Sequence, residues 1–164
     1  MASTIVTFEL GGREVEILAR PMTTLQSVLR NQLGQTATKE GCRQGGCGSC
    51  TVLVDGEPMA SCLLPVEDVA GRRITTLESL TPAEGLHPIQ QAFVDGYAFQ
   101  CGYCTPGMVM LSKALLDHDP SPSEDDIGRA LGGNLCRCTG YQPIVQAIKQ
   151  AAAAMDTRDA EPVR

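Results

Sequence analysis

The chain has 164 residues, with 13 basic against 19 acidic side chains, a net charge of −6 and no Trp. That length holds one domain or two small ones, and two halves would each sit near the lower limit for a self-sufficient core. The acidic balance argues against a nucleic-acid binder, whose footprint is a basic patch.

Residues 4–10, TIVTFEL, place Val6, Phe8 and Leu10 on one face, the period of a half-buried strand. Gly11 and Gly12 suit a two-residue hairpin turn. Residues 13–19, REVEILA, return with Val15, Ile17 and Ala19 on one face. A helix follows, capped by Thr23 or Thr24, with Leu25, Val28, Leu29 and Leu33 on one side and Gly34 as its stop. TVLV at 51–54, a turn at Asp55-Gly56 and EPMASCL at 57–63 form a second expected hairpin, and RITT at 73–76 a last strand. Two hairpins and one crossing helix give a β-grasp arrangement, an α+β domain over residues 1–80.

TLESLTPAEGLHP, with Pro82, Gly85 and Pro88, marks a boundary, with a linker at 81–86. From 87 to 156 the pattern is helical. Pro88 opens IQQAFVDGYAF, with Ile89, Phe93 and Tyr97 at helical spacing, and Pro106 opens GMVMLSKALLDH. Ser121 is the expected cap of a third helix, with Pro122 at its first position and Glu124 placed for a capping box. Pro143 opens IVQAIKQAAAAM. Four helices make a small bundle, and the tail at 157–164 is expected to fray. The start, MASTIVTFEL, lacks a basic segment followed by a long apolar run, so no secretory signal is expected. No stretch reaches the length of a membrane span. The expected location is the cytoplasm.

The eight cysteines are the main anomaly: Cys42, Cys47, Cys50, Cys62, Cys101, Cys104, Cys136 and Cys138. In a small secreted chain they would suggest disulfides. In a reducing compartment structural disulfides are rare, which leaves metal binding or redox chemistry. The first four read C-x4-C-x2-C-x11-C. C-x4-C-x2-C with one distant cysteine is the plant-type [2Fe–2S] spacing. Three of the thiolates come from one loop, so that loop has to fold around the metal. Gly41, Gly45, Gly46 and Gly48 let it take left-handed conformations and bring backbone close to sulfur. Inward N–H groups then hydrogen-bond sulfur and tune its potential. The alternative is a four-cysteine zinc site. Such sites use paired short knuckles of similar spacing, which this is not.

The second four read Cys101-Gly-Tyr-Cys104 and Cys136-Arg-Cys138, with 31 residues between the pairs, room for a helix out and a helix back. Alone, this group leaves zinc, a thiol–disulfide couple and a cluster open. The redox C-x2-C belongs to a βαβ context, and these surroundings are helical. Beside a first cluster, a second is the economical reading. Each pair precedes a helix, whose N-terminus lowers thiolate pKa and offers free N–H donors.

GCRQGGCGSCTVLVDG, QCGYCTPGM and GGNLCRCTGYQPI, in that order, resemble the small iron–sulfur subunit of the molybdenum hydroxylases. That family includes xanthine dehydrogenase, aldehyde oxidase and aerobic carbon monoxide dehydrogenase. The likeness runs from about residue 3 to 155, with no ligand missing. It implies a ferredoxin-like β-grasp domain followed by a four-helix bundle, and two [2Fe–2S] clusters. Cys42, Cys47, Cys50 and Cys62 would hold one, and Cys101, Cys104, Cys136 and Cys138 the other. It also implies a large partner subunit with molybdopterin near the second cluster and a medium partner subunit with FAD toward the first. Electrons would run from the molybdenum centre through both clusters to flavin, and Gln100 and Cys138 would contact the pterin. From the residues alone, Gln100 is a surface or helix-end glutamine. The chain would be a wire, with no catalytic residue and no substrate pocket of its own. Two rivals are a free ferredoxin-type carrier or redox sensor, which needs no helical half, and a zinc-stabilised adaptor. His87 and His118, the only histidines, get no ligand role. Met108, Met110 and Leu111 read as core and interface, and Asp125 and Asp126 as partners of a helix dipole.

Overall fold

The computed structural model describes residues 3–159. Its strands are β1 (Thr4–Leu10), β2 (Arg13–Ala19), β3 (Thr51–Val54), β4 (Glu57–Ala60) and β5 (Arg73–Thr75). Its helices are α1 (Leu25–Asn31), α2 (Leu77–Leu80), α3 (Pro88–Asp95), α4 (Thr105–His118), α5 (Glu124–Leu131) and α6 (Gln142–Asp159). β1 and β2 pair antiparallel with Val6 opposite Ile17 and Phe8 opposite Val15, the register that puts the alternating apolar residues on one face. Gly11 and Gly12, at φ of 55° and 81°, make the tight turn between them. The sheet order is β2-β1-β5-β3-β4, with β1 and β5 parallel and the other neighbours antiparallel.

Helix α1 lies against one face of this mixed sheet. Leu25, Val28 and Leu29 are buried with Val6, Phe8, Ile17, Val52, Val54 and Ile74. Each such side chain contributes about 1.5–3 kcal/mol by leaving water. Thr24 is the cap of α1, accepting from the Ser27 N–H at 3.2 Å. All four residues of β3 are buried, because α4 packs on the strand as well. β3 is therefore a wall shared by both halves, which accounts for its continuous apolar run.

In the second half, α3, α4, α5 and α6 share a core of Ile89, Phe93, Met108, Ile127, Ile144 and Ile148. α3 packs chiefly on α6, and α4 on α5. The α+β class is as expected. Among the described residues no helix is long and apolar enough to cross a membrane.

Several expected boundaries move. Helix α1 closes at Asn31, ahead of Gly34. β4 stops at Ala60, and Ser61–Leu63 form a 3-10 turn where a strand was expected. There the Ser61 hydroxyl donates to the Cys50 carbonyl at 2.7 Å, and the ladder's own Ser61 N–H bond to that carbonyl is long, at 3.4 Å. α2 falls at the expected boundary, and at four residues it is too short to show a period. Tyr97 is off α3, in a left-handed turn at φ 48° and 83% exposed. The cap of α5 is Ser123 and not Ser121, since the Ser123 hydroxyl accepts from the Asp126 N–H while Asp119 takes the Ser121 N–H. His87 caps α3 through Nδ1, accepting from the Ile89 N–H at 3.3 Å. α6 runs on through Asp159, so 157–159 are helical, and the rest of the tail lies outside the described residues.

Candidate metal centres

All eight cysteines are free thiols, and they fall into two separate groups of four. In the first, Cys42 and Cys47 are half-buried on the glycine loop, while Cys50 at the foot of β3 and Cys62 on the 3-10 turn are buried. Two of the loop glycines take the left-handed backbone expected of them. Gly48, at φ 68°, is packed so tightly that a Cβ there would stand 1.7 Å from Asn134 Oδ1. Gly45, at φ 75°, would press a Cβ against Leu63 at 2.4 Å. Gly41 has a different reason, because its Cβ would lie 2.7 Å from Cys47 Sγ. Gly46 has neither constraint, and its part is a backbone N–H directed at Cys42.

Those N–H groups set the thiol chemistry. The Cys42 thiol is lowered to about 7, first by the Gln44 N–H at 3.4 Å and then by a hydrogen bond from the Cys47 thiol. Cys62 is pushed up to about 11, by burial first and then by donating to Cys50.

The second group repeats the pattern with other means. Cys104 immediately precedes α4 and is pushed up to about 12, by burial and then by its hydrogen bond to Cys136. Cys136 comes down to about 7: burial opposes this, but the Thr139 hydroxyl at 3.1 Å and the N–H groups of Thr139 and Cys138 outweigh it. Cys101 is lowered by the Tyr103 N–H and then by the Cys138 thiol, which is itself raised by donating. Cys101 and Cys138 are exposed, and Gln100 is exposed beside Cys101.

In both groups the thiols associate in pairs: Cys42 with Cys47, Cys50 with Cys62, Cys101 with Cys138, Cys104 with Cys136. Two thiolates about 2.3 Å from one tetrahedral metal stand about 3.8 Å apart. The Cys101–Cys138 separation is 3.6 Å. Four thiolates on one zinc would all lie at that mutual distance. In each group, however, the thiol–thiol hydrogen bonds run within the pairs. Two pairs per group instead suit two metal ions side by side, the donor set of a [2Fe–2S] cluster.

Several residues that serve these groups were not singled out from the sequence. Tyr141, at φ 68°, accepts the Cys136 N–H at 2.9 Å and donates to the Asn134 carbonyl at 3.3 Å. Thr139 reaches Cys136 Sγ. Gly107 on α4 could not carry a Cβ, which would stand 2.3 Å from the Gly48 carbonyl oxygen. GGNLCRCTGYQPI contains Asn134, Thr139 and Tyr141, but their partners are set by the fold.

A mixed sheet carrying one four-thiol group and a helical half carrying a second define a two-cluster iron–sulfur protein. Comparison with known proteins agrees. Residues 8–75 match the 2Fe-2S iron-sulfur cluster binding domain, and residues 76–149 the [2Fe-2S] binding domain. The chain is 47% identical over 149 residues to a nicotinate dehydrogenase subunit of Pseudomonas putida, covering 91% of this chain and 95% of that one. It is 40% identical over 151 residues to the nicotinate dehydrogenase small FeS subunit of Eubacterium barkeri, covering 92% and 96%. It superimposes on a chain of quinoline 2-oxidoreductase from Pseudomonas putida 86 with a TM-score of 0.92 at 40% identity, covering 99% of this chain and all of that one. The chain belongs to the family of small iron–sulfur subunits of the molybdenum hydroxylases. Its function is electron transfer within an oxidoreductase of that type.

Proposed function

We propose that Cys42 and Cys47 bind one iron and Cys50 and Cys62 the other iron of a first [2Fe–2S] cluster. Cys101 with Cys138, and Cys104 with Cys136, hold a second in the same way. Each cluster, when bound, supplies a one-electron carrier. The chain's own part is to hold the thiolates, to direct N–H groups at them and to bring the two sites together. The paired thiols are the observation that carries this assignment. The sheet half then acts as a ferredoxin-like β-grasp domain and the helical half as a four-helix bundle.

The exposed edge at Cys101 and Cys138 supports a docked partner. Around the two groups, Leu63, Tyr97, Phe99, Tyr103 and Leu135 are exposed apolar or aromatic side chains, the kind of surface that marks an interface. A large molybdopterin-binding subunit docks at this edge, with Gln100 and Cys138 meeting the pterin. A medium FAD-binding subunit takes electrons from the first cluster. The two full-length relatives and the quinoline enzyme support an N-heteroaromatic substrate, oxidised on the large subunit. The free thiols and the absence of a membrane-spanning helix among the described residues fit the cytoplasm.

The test is a Gln100→Leu holoenzyme purified from its own cell. The expected result is that the wild-type chain co-elutes with one molybdenum and one flavin subunit and that nicotinate reduces its clusters. The variant keeps its iron, since no thiolate changes. It leaves polar pterin groups unpaired, costing on the order of 1–3 kcal/mol, so substrate-driven cluster reduction slows while flavin-side reduction does not. Loss of iron in this variant would assign Gln100 to local packing. Slowing on the flavin side alone would reverse the cluster order.

A further inference from the structure

Tyr141 holds a backbone conformation that is unfavourable for a bulky residue. Its φ is 68°, in the left-handed region that glycine enters freely and tyrosine does not. Strain of that kind persists only where the surroundings hold it, and it points to a use. The Tyr141 carbonyl accepts from the Val145 N–H at 3.0 Å, which fixes it to the first turn of α6. Its own N–H donates to Thr139 Oγ1 at 3.2 Å. Its ring packs on the core of the helical half. Glycine or asparagine would take this backbone more easily, but neither carries a hydroxyl back to the cysteine segment.

That hydroxyl accepts the Cys136 N–H at 2.9 Å and donates to the Asn134 carbonyl at 3.3 Å. Three successive N–H groups are therefore engaged by oxygens. The Asn134 N–H goes to the Leu131 carbonyl and the Leu135 N–H to the Cys47 carbonyl, both at 2.9 Å, and the Cys136 N–H goes to the phenol. Beyond this point the N–H groups of Cys138 and Thr139 go to the Cys136 sulfur. The segment changes from oxygen to sulfur acceptors just after Cys136. At the change, the acceptor is a side chain and not backbone. An N–H directed at a ligand sulfur stabilises the more negative, reduced state of a cluster and raises its potential.

Taking Cys136 as an iron ligand, as above, we propose that Tyr141 is a positioning residue of the second metal site, its hydroxyl turning the Cys136 N–H away from the cluster sulfurs and so making that site harder to reduce. The couple concerned gains one electron, drawn from the substrate that the holoenzyme oxidises, and no proton moves.

The test is the Tyr141→Phe holoenzyme, which keeps the ring and deletes the oxygen. The Cys136 N–H then has sulfur as its remaining acceptor. Redox titration followed by paramagnetic resonance reads the two potentials. Electron–nuclear double resonance in H2O and D2O reads exchangeable protons coupled to each site. Hydrogen exchange at the Cys136 amide of the wild-type holoenzyme reads the bond itself.

The expected result is an easier reduction of the second site, by roughly three- to tenfold, where tenfold is 59 mV for a one-electron couple. One more exchangeable proton couples to that site, and the first site keeps its potential. An unmoved or lowered second potential overturns the proposal, because a tyrosine that only supports the fold would add no donor to sulfur. An equal shift at both sites also overturns it. So does a variant that takes up no second cluster, since the oxygen would then serve assembly. A Cys136 amide that exchanges in the wild-type holoenzyme as freely as an open loop removes the proposal whatever the variant does. Failure of the ligand assignment looks different, because Cys136→Ala would then keep both paramagnetic signals.

Discussion

The two metal-binding regions solve one problem with different materials. The first draws three thiols from a single loop, and the loop bends through residues at positive φ: Arg43, Gly45 and Gly48. The second draws its thiols from two segments far apart in sequence, placed at the start of α4 and ahead of α6. There the hydroxyls of Thr139 and Tyr141 join the backbone N–H groups of Tyr103, Cys138 and Thr139 in the polar support. One site is thus shaped by backbone and the other by packed helices. A loop-built site is sensitive to any added Cβ, whereas a helix-built site is sensitive to the hydroxyls and thiols that join its segments.

The largest effect that separates these modes lies within the first loop. Gly48→Ala places a β-carbon at φ 68° and on top of Asn134. Left-handed strain costs about 1–3 kcal/mol, and the overlap adds to it, for a total on the order of 3–5 kcal/mol. Because Gly48 also abuts Gly107, the variant should lose iron from both groups. Gly46→Ala, with open space and ordinary backbone, should stay within about 0.5 kcal/mol. Melting temperature and iron content of the two variants check this. Equal behaviour would mean that the loop is not held by its backbone.

Thiol substitutions come next. Cys47→Ala should remove one paramagnetic signal of the reduced protein and about half of the iron, since each cluster needs four thiolates. Cys104→Ala should remove the other signal. Disappearance of both signals on either change would show that the two sites load as one unit.

Much of this was legible in the chain because it is local. The β1–β2 hairpin shows in two alternating runs with Gly-Gly between them, and the first cysteine group shows in its spacing. The Gly48–Gly107–Asn134 contact did not show, since it joins residues that only the fold brings together. β3 carried a single apolar run, and nothing in TVLV says that α1 lies on one side and α4 on the other. Cys62 was readable as a ligand candidate but not as a turn residue, because Ser61 acts through the distant Cys50 carbonyl. Tyr141 looked like any half-apolar residue ahead of a helix.

The metal-free chain offers a pH test of the same contrast. In the folded chain burial raises Cys62 to about 11 and Cys104 to about 12, above the ordinary thiol value of 9.0. A raised pKa means the folded state holds its proton more tightly than the unfolded chain. The resulting stability is complete below about pH 9 and is lost as pH climbs toward 11 in the first group and 12 in the second. Metal-free protein should therefore melt at falling temperature over that window, and the helical half should yield over the wider range. A flat melting profile from pH 9 to 12 would show that these thiols are not buried. With iron the sense reverses, since ligand thiols must lose their protons, so uptake weakens as pH falls.

The smallest effect concerns the hydroxyl that supports the second group. Thr139 Oγ1 lies 3.1 Å from Cys136 Sγ, and the same oxygen accepts the Tyr141 N–H at 3.2 Å. That second bond leaves the hydroxyl hydrogen free to point at sulfur. A donor at a thiolate ligand stabilises the more negative, reduced state of the cluster and so raises its potential. Thr139→Val keeps the shape and deletes the donor. The loss is of the order of 1 kcal/mol, and for a one-electron couple that corresponds to a fall of about 40 mV. Redox titration followed by paramagnetic resonance should show the second cluster's potential lowered and the first unmoved. No Thr139 contact reaches Cys42, Cys47, Cys50 or Cys62 among the hydrogen bonds of the described residues. A shift of both potentials would mean that the two sites sense each other's charge across Asn134 and Leu135. An unmoved second cluster would mean that the hydroxyl turns away from sulfur once iron is bound, leaving the Cys136 thiolate to the N–H groups of Cys138 and Thr139 alone.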